Sequence, residues 1–110
     1  MPLSEKARIE VYLPDSPKPS YRELLDSLDQ ELTYTFGGCT IIRGLNGSYL
    51  SRAGLRVRDR VHLLYTDTPF GFDDNLPSIS RYTDELRTAA FAALDEEAIL
   101  VVALKVYHAE

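Results

Sequence analysis

The chain opens with an alternation of apolar and polar residues. Over residues 7–13 the apolar side chains would fall on one side of an extended backbone and the polar ones on the other, a period typical of a half-buried β-strand. The apolar side holds Ala7, Ile9, Val11 and Leu13, and the polar side holds Arg8, Glu10 and Tyr12. Three prolines follow and end the predicted strand, because proline lacks the amide hydrogen that a ladder needs.

A helix is predicted over residues 20–35. Ser20 and Glu23 form an S-x-x-E capping box, in which the hydroxyl and the carboxylate each satisfy a free amide of the first turn. Apolar residues follow at helical spacing and make one stripe of Tyr21, Leu24, Leu25, Leu28 and Leu32. Gly37 and Gly38 are predicted to end the helix, since glycine accepts the left-handed conformation found at helix C-termini.

A hairpin of two strands is predicted over residues 39–50 and 56–66. Its turn is placed at 52–54, and a bulge or bend is placed near 44–47, where glycines interrupt the first strand. One face of the second strand is predicted to point at the helices, with Val57, Val61, Leu63 and Tyr65. The other face would carry Arg56, Arg58, Arg60, His62 and Leu64.

The last two elements settle the fold class. A second helix is predicted over residues 78–94, with a stripe of Ile79, Tyr82, Leu86, Ala90 and Leu94. Residues 98–108 form a near-continuous apolar run, as in a buried strand. Right-handed crossovers would bring the first and third strands to the centre and both helices to one face. The sequence therefore predicts an α+β, ferredoxin-like βαββαβ fold, with a four-stranded antiparallel sheet, in a single domain spanning 1–110.

The two faces of this sheet have different predicted roles. The core, between sheet and helices, would contain Val11, Leu24, Leu28, Val61, Leu63, Leu86 and Leu100. The opposite, open face would carry Arg8, Glu10, Tyr12, Arg58, Arg60, His62, Leu64, Val101, Ala103, Lys105 and Tyr107. Because so apolar a mixture is poorly suited to water, we expect a homodimer packed sheet on sheet. The alternative is a monomer whose long charged side chains lie over the apolar ones.

Composition narrows the class of protein. With 110 residues, 45% apolar and 26% charged, the chain has an ordinary globular composition. Cys39 is the single cysteine, which excludes an internal disulfide and multi-cysteine zinc sites. The sequence contains no recognisable signal peptide or membrane span, which favours the cytoplasm.

Charge is unevenly distributed along the chain. The net charge is −5, which argues against general affinity for nucleic acid. Residues 36–66 nevertheless hold five arginines and one acid, a net charge of +4, against −9 for the rest. This basic segment could bind an anion or the acidic part of a second subunit, or could be a solvated hairpin.

Four short motifs lie between Phe36 and Val101, within a similarity that spans roughly residues 7–107. They are Phe36-Gly37-Gly38-Cys39-Thr40, Gly47-x-Tyr49, Arg58-Asp59, and Glu96-Glu97 before Ile99-Leu100-Val101. Together they resemble a group of short uncharacterised bacterial proteins that usually read F-G-G-x-T, G-x-W, R-D or R-E, and Q-E-x-[IV]-[LI]. Tyr49 stands where tryptophan is usual, and Glu96 stands where glutamine is usual. The resemblance implies a ferredoxin-like domain and no established activity.

Two functional hypotheses follow. The first is a non-enzymatic dimeric or partner-binding domain. The second is an enzyme or sensor for an anionic small molecule, with a pocket made by Arg60, His62 and a tyrosine. The candidate ligand-binding residues are Tyr12, Arg58, Arg60, His62 and Tyr107. No catalytic residue, metal or cofactor is assigned.

Other chemistries have weaker support. RNA binding would need stacking aromatics on the central strands, and Tyr65 is predicted to face the helices. Cysteine catalysis would need Cys39 beside a base such as His62, and proton transfer would use His62, Asp59 or Glu97 with a tyrosine. The two histidines have no metal-ligand spacing, and the G-G-C-T run follows a helix whereas a phosphate loop precedes one.

Overall fold

The computed structural model describes residues 2–94 and 99–109. Its four strands form one antiparallel sheet in the order β2-β3-β1-β4, with bounds β1 Leu3–Pro14, β2 Thr40–Leu50, β3 Arg56–Asp67 and β4 Leu100–Ala109. The helices are α1 Pro19–Phe36 and α2 Leu76–Ala93, the second preceded by a 3₁₀ turn at Asp73–Asn75. This topology confirms the predicted ferredoxin-like βαββαβ fold.

The first helix extends one residue beyond its predicted range at each end, and its N-terminal cap differs from the prediction. It begins at Pro19 with Lys18 as the capping residue, and no side chain caps it, so the capping box of Ser20 and Glu23 was wrong. Proline suits the first helical position because its fixed φ is already helical and its missing amide hydrogen has no partner there. At the other end, Gly37 adopts φ +99° and donates its N–H to the carbonyl of Thr33, as predicted.

The hairpin extends past the other two strands as a two-stranded arm. The pairing of β1 with β3 ends at Pro14 and Val61, one backbone bond follows from the Asp15 N–H to the Arg60 carbonyl, and residues 45–59 lie beyond it. A bulge lies between Ile42 and Leu45, close to its predicted place, and Gly44 within it adopts φ +68°. A side chain at Gly44 would be strained by that backbone, and its Cβ would come within 2.7 Å of the Arg60 guanidinium.

The core lies between the helices and one face of the sheet. Four of the predicted core residues are buried there, namely Val11, Leu24, Leu28 and Leu86. The other three predictions were wrong, because Val61 and Leu63 are half-buried on the opposite face and Leu100 is 56% exposed.

The strand faces explain this error. Residues paired across antiparallel strands point to the same side of a sheet, so Leu64 shares the core side with its partner Val11. Leu64 is fully buried, and Leu63 pairs with Tyr12 on the open side. The assignment of β3 was therefore wrong by one residue: Val57, Val61, Leu63 and Tyr65 face away from the helices, and Arg58, Arg60, His62 and Leu64 lie on the helix side.

The assignment of β4 was wrong in the same way. Val101 pairs with the buried Val11 and packs against the core. Lys105 lies on the same side, where its ammonium bonds Asp73 of the 3₁₀ turn at 2.8 Å. The helix side of β4 therefore carries Val101, Ala103, Lys105 and Tyr107, and the open side carries Leu100, Val102, Leu104, Val106 and His108.

Candidate binding surfaces

The five residues predicted to bind a ligand do not converge. Arg58, Arg60 and His62 lie on the helix side of β3, whereas Tyr12 lies on the open side of β1. Tyr107 is on the helix side of β4, 59% exposed, and pairs with Glu5 near the far end of the sheet. The structure therefore keeps an arginine–histidine group together and separates it from both tyrosines.

The open side of the sheet is the first candidate surface, and we call it the open face. Both helices pack on the other side, so no described helix covers it. It is mostly aliphatic and aromatic, with Tyr12 from β1, Ile42 and Leu45 from β2, Val61, Leu63 and Tyr65 from β3, and Leu100, Val102, Leu104 and Val106 from β4. An exposed apolar area of this kind is typical of interfaces and of ligand grooves.

A charged group occupies one end of the open face. Arg8 makes a bidentate ion pair with Asp67, with Nε–Oδ1 and Nη2–Oδ2 distances of 2.5 and 3.0 Å. Nε2 of His108 lies 3.1 Å from the same carboxylate, and the Arg8 guanidinium stacks 4.4 Å from the centre of the Tyr65 ring. These charged groups are paired with one another. A partner could therefore pack over this end of the face without burying an unpaired charge.

The ion pair should make stability depend on pH. The hydrogen bond from Arg8 is the main reason that the pKa of Asp67 lies below its usual value, and His108 adds to the effect. A carboxylate with a lowered folded-state pKa stabilises the protein above the unfolded pKa, and this stabilisation is lost as pH falls through the folded pKa. Asp67→Asn should therefore be less stable than wild type at neutral pH, and the difference should shrink as pH falls below about 4.

Urea unfolding at a series of pH values measures this difference. Arg8→Gln should show the same trend, because it removes the other half of the pair. A difference between wild type and Asp67→Asn that stays constant from pH 7 to about pH 3 would contradict the assignment.

The open face also bears on RNA binding. Contrary to the prediction, Tyr65 lies on the open face together with Tyr12. The stacking surface of Tyr65 is already covered by Arg8, however, and Arg56, Arg58 and Arg60 of β3 lie on the opposite side. Tyr65 therefore does not offer the free stacking surface that single-stranded RNA binders use.

The second candidate surface is a cavity of about 550 Å³ on the helix side of the sheet, which we call the α1–β2 cavity. It lies between the loop after β1, the first half of α1 and the edge strand β2. Its apolar floor includes Tyr21, Leu25 and Ile41, and its charged lining consists of Asp15, Arg22, Asp26, Asp29 and Arg43.

His62 joins the cavity to the base of the arm. Its Nδ1 accepts a hydrogen bond from the Gly44 amide at 3.2 Å, so the proton of the neutral ring sits on Nε2. Nε2 lies 3.1 Å from Asp15, whose other oxygen is 3.8 Å from Nε of Arg60. Arg60 and His62 are thus linked through Asp15, but of the predicted pocket residues only His62 lines the cavity, whose tyrosine is Tyr21 rather than Tyr12 or Tyr107. The sequence signal for Tyr21 pointed to the helix core instead.

Cys39 is not placed for nucleophilic chemistry. Burial, together with the neighbouring Asp29 carboxylate, raises the pKa of its thiol to about 11. A reactive cysteine needs the opposite shift. Thr40 pairs with Tyr65, so His62 lies several residues along the sheet from Cys39, at about 3.3 Å per residue.

Two further features are absent from the described residues. Within residues 2–94 and 99–109, no three His, Cys, Asp or Glu side chains are grouped as metal ligands. No helix in the described part of the chain is long and apolar enough to cross a membrane. Glu96 and Glu97, which were considered as a motif and as a proton-transfer group, lie outside the described residues.

Comparisons with known proteins identify structural neighbours. No protein-family model and no curated protein matches the sequence. Among solved structures, CutA1 from Oryza sativa has a TM-score of 0.61 at 18% identity, covering 98% of this chain and 85% of the other. A divalent cation tolerance protein (Cut A1) from Thermus thermophilus has a TM-score of 0.55 at 21% identity, with coverages of 92% and 82%.

A third neighbour is not a CutA1 protein. It is a nitrogen regulatory PII-like protein from Thiomonas intermedia K12, bound to ADP, AMP and bicarbonate, with a TM-score of 0.56 at 13% identity. The alignment covers 99% of this chain and 100% of that one. All three neighbours share the ferredoxin-like α+β fold of this chain. Because the identities are low, the similarity concerns the fold alone.

Proposed function

We propose that this protein is a non-enzymatic binding domain that associates with itself through the open face, in its simplest form as a homodimer. The observation that carries the proposal is the apolar composition of that face, which neither α1 nor α2 covers. Tyr12 and Leu63 pair across the two inner strands, β1 and β3, and residues near the middle of an interface contribute most to affinity. Ligand binding by a PII-like neighbour of the same fold adds support for a binding role.

The open face has the size of a stable interface. Four strands about 4.8 Å apart, each about ten residues long at about 3.3 Å per residue, cover about 600 Å² in projection. The accessible area exceeds the projection because side chains stand above the backbone. Each partner in a specific interface typically contributes about 800 Å². The face can therefore supply most of one half of an interface.

Charge favours a second copy of the chain as the occupant. The chain as a whole has a net charge of −5, which repels other copies of itself. On the open face between β1, β3 and β4, however, Lys6 and Arg8 balance Glu10 and Asp67. Two copies that meet at this neutral face avoid most of that repulsion, and a two-fold axis lets the face complement itself.

The arm extends the same surface. Leu45, Tyr49 and Val57 continue the apolar side past the end of β1, whereas Arg56 and Arg58 lie on its reverse. Within this proposal the apolar side of the arm contacts the second copy and the arginines remain available to acidic helix residues. We also propose that the protein is cytoplasmic and that it belongs to the group of short bacterial proteins that its motifs resemble.

Paired aspartate substitutions test the proposal. Leu63→Asp places a charge at the centre of the open face and should yield monomers that keep the native circular dichroism spectrum. Tyr34→Asp is the matched control, because Tyr34 is 86% exposed on α1 and should not affect association. Sedimentation equilibrium at micromolar concentration compares both with wild type. Equal masses for wild type and Leu63→Asp would contradict the proposal.

A further inference from the structure

We infer that the α1–β2 cavity binds a small zwitterion of the amino-acid type, an activity separate from self-association. The cavity combines an apolar floor with charges of both signs. Its volume of about 550 Å³ falls within the range of small-molecule sites, about 300–1,000 Å³.

The two arginines of the cavity supply the anion-binding half. Within the described residues, the side chains of Arg22 and Arg43 make no hydrogen bond or ion pair, although both border the same cavity. Guanidinium groups bind carboxylates through paired, charge-assisted hydrogen bonds. Arg22 and Arg43 are thus available for the carboxylate of a ligand, in contrast to Arg60, which is paired with Asp15.

Two of the acids supply the cation-binding half. Asp15 is already bonded to His62 and Arg60. Asp26 accepts the Gln30 amide at 3.0 Å, and Asp29 accepts the Thr33 hydroxyl at 3.3 Å and lies beside the Cys39 thiol, so the donors that the structure describes for these two carboxylates are all neutral. Their negative charge is not neutralised by these donors, so it remains available to an ammonium group.

The balance of charge selects the ligand class. Asp15 is paired with Arg60, which lies outside the lining, and the remaining charges of the lining, two arginines and two aspartates, sum to zero, so neither a dianion nor a simple cation is favoured by the field of the site. A zwitterion satisfies both signs at once. Its apolar part would lie over Tyr21 and Leu25, which are 6% and 8% exposed, and beside Ile41.

Calorimetric titration with three related probes tests the inference. L-Leucine carries both charges, N-acetyl-L-leucine lacks the ammonium group, and L-leucinamide lacks the carboxylate. L-Leucine should bind, and each blocked probe should bind about tenfold more weakly or worse, the loss expected for one charge-assisted hydrogen bond. Equal binding of N-acetyl-L-leucine, or no binding of L-leucine at millimolar concentration, would overturn the inference.

Variants locate the binding event. Arg43→Gln and Asp26→Asn should each weaken L-leucine binding by about tenfold. Both residues are exposed, so the fold should persist, and Arg52→Gln at the exposed arm tip should leave binding unchanged. Wild-type affinity in Arg43→Gln would contradict the assigned site. Monomeric Leu63→Asp should still bind L-leucine, because the open face is on the other side of the sheet.

Discussion

Leu64→Ala should lower the free energy of unfolding by about 2–5 kcal/mol, the cost of removing a buried leucine side chain and leaving a cavity. Leu64 lies on the central strand β3, is fully buried and packs in the core opposite Val11. Urea unfolding, followed by circular dichroism, measures the change. This residue was predicted from the sequence to lie on the open face, so the experiment also tests the corrected assignment of β3.

The control for this experiment is an exposed aromatic residue. Tyr34→Ala on α1 should change the free energy of unfolding by no more than about 0.5 kcal/mol, since Tyr34 is 86% exposed. A loss of less than about 0.5 kcal/mol for Leu64→Ala as well would mean that Leu64 does not belong to the core.

The thermal unfolding midpoint of the wild-type protein should rise with protein concentration. This is expected when folded copies associate and unfolded chains do not. Above the dissociation constant, each tenfold increase in protein concentration then raises the free energy of unfolding by about 1.4 kcal/mol per dimer, or about half of that per chain. A domain of this size shifts its midpoint by about 4–8 °C per kcal/mol, so we expect a rise of about 3–6 °C per tenfold increase.

Leu63→Asp provides the comparison for the thermal experiment. As a monomer it should unfold at a midpoint that does not depend on concentration. A wild-type midpoint that is equally independent of concentration, across a hundredfold range around micromolar, would contradict self-association. A concentration dependence retained in Leu63→Asp would place the interface elsewhere on the molecule.

The element order could be predicted from the sequence because local patterns determine it. Helical spacing of apolar residues predicts α1, and the glycine after it predicts where that helix ends. The alternation of apolar and polar residues predicts β1. The start of α1 was misplaced because Ser20 and Glu23 match a capping box, while the neighbouring Pro19 is equally suited to the first turn.

The strand faces could not be predicted in the same way. In β3, Leu63 and Leu64 are adjacent and equally apolar, so periodicity does not decide which one the helices cover. The alternation was assigned from the arginines, but Arg56 and Arg58 lie on the arm beyond β1, where neither side is buried in the core. In β4 both sides are apolar, which leaves the choice to tertiary packing.

The candidate site was predicted only in part. Arg60 and His62 were identified together because alternate residues on a strand share a face. Their link through Asp15 was missed, because Asp15 lies 45 residues before Arg60 in the chain and its contact depends on the sheet pairing. The predicted tyrosines were wrong partners for a related reason: Tyr12 and His62 lie on neighbouring strands but on opposite faces.

The molar mass of the unmodified protein in solution tests the central claim most directly. Light scattering at micromolar concentration, at low and at high salt, should give at least twice the chain mass of 12.4 kDa. The mass should persist at high salt because apolar burial at the open face, rather than ion pairing, holds the copies together. A mass of 12.4 kDa under both conditions would contradict the account.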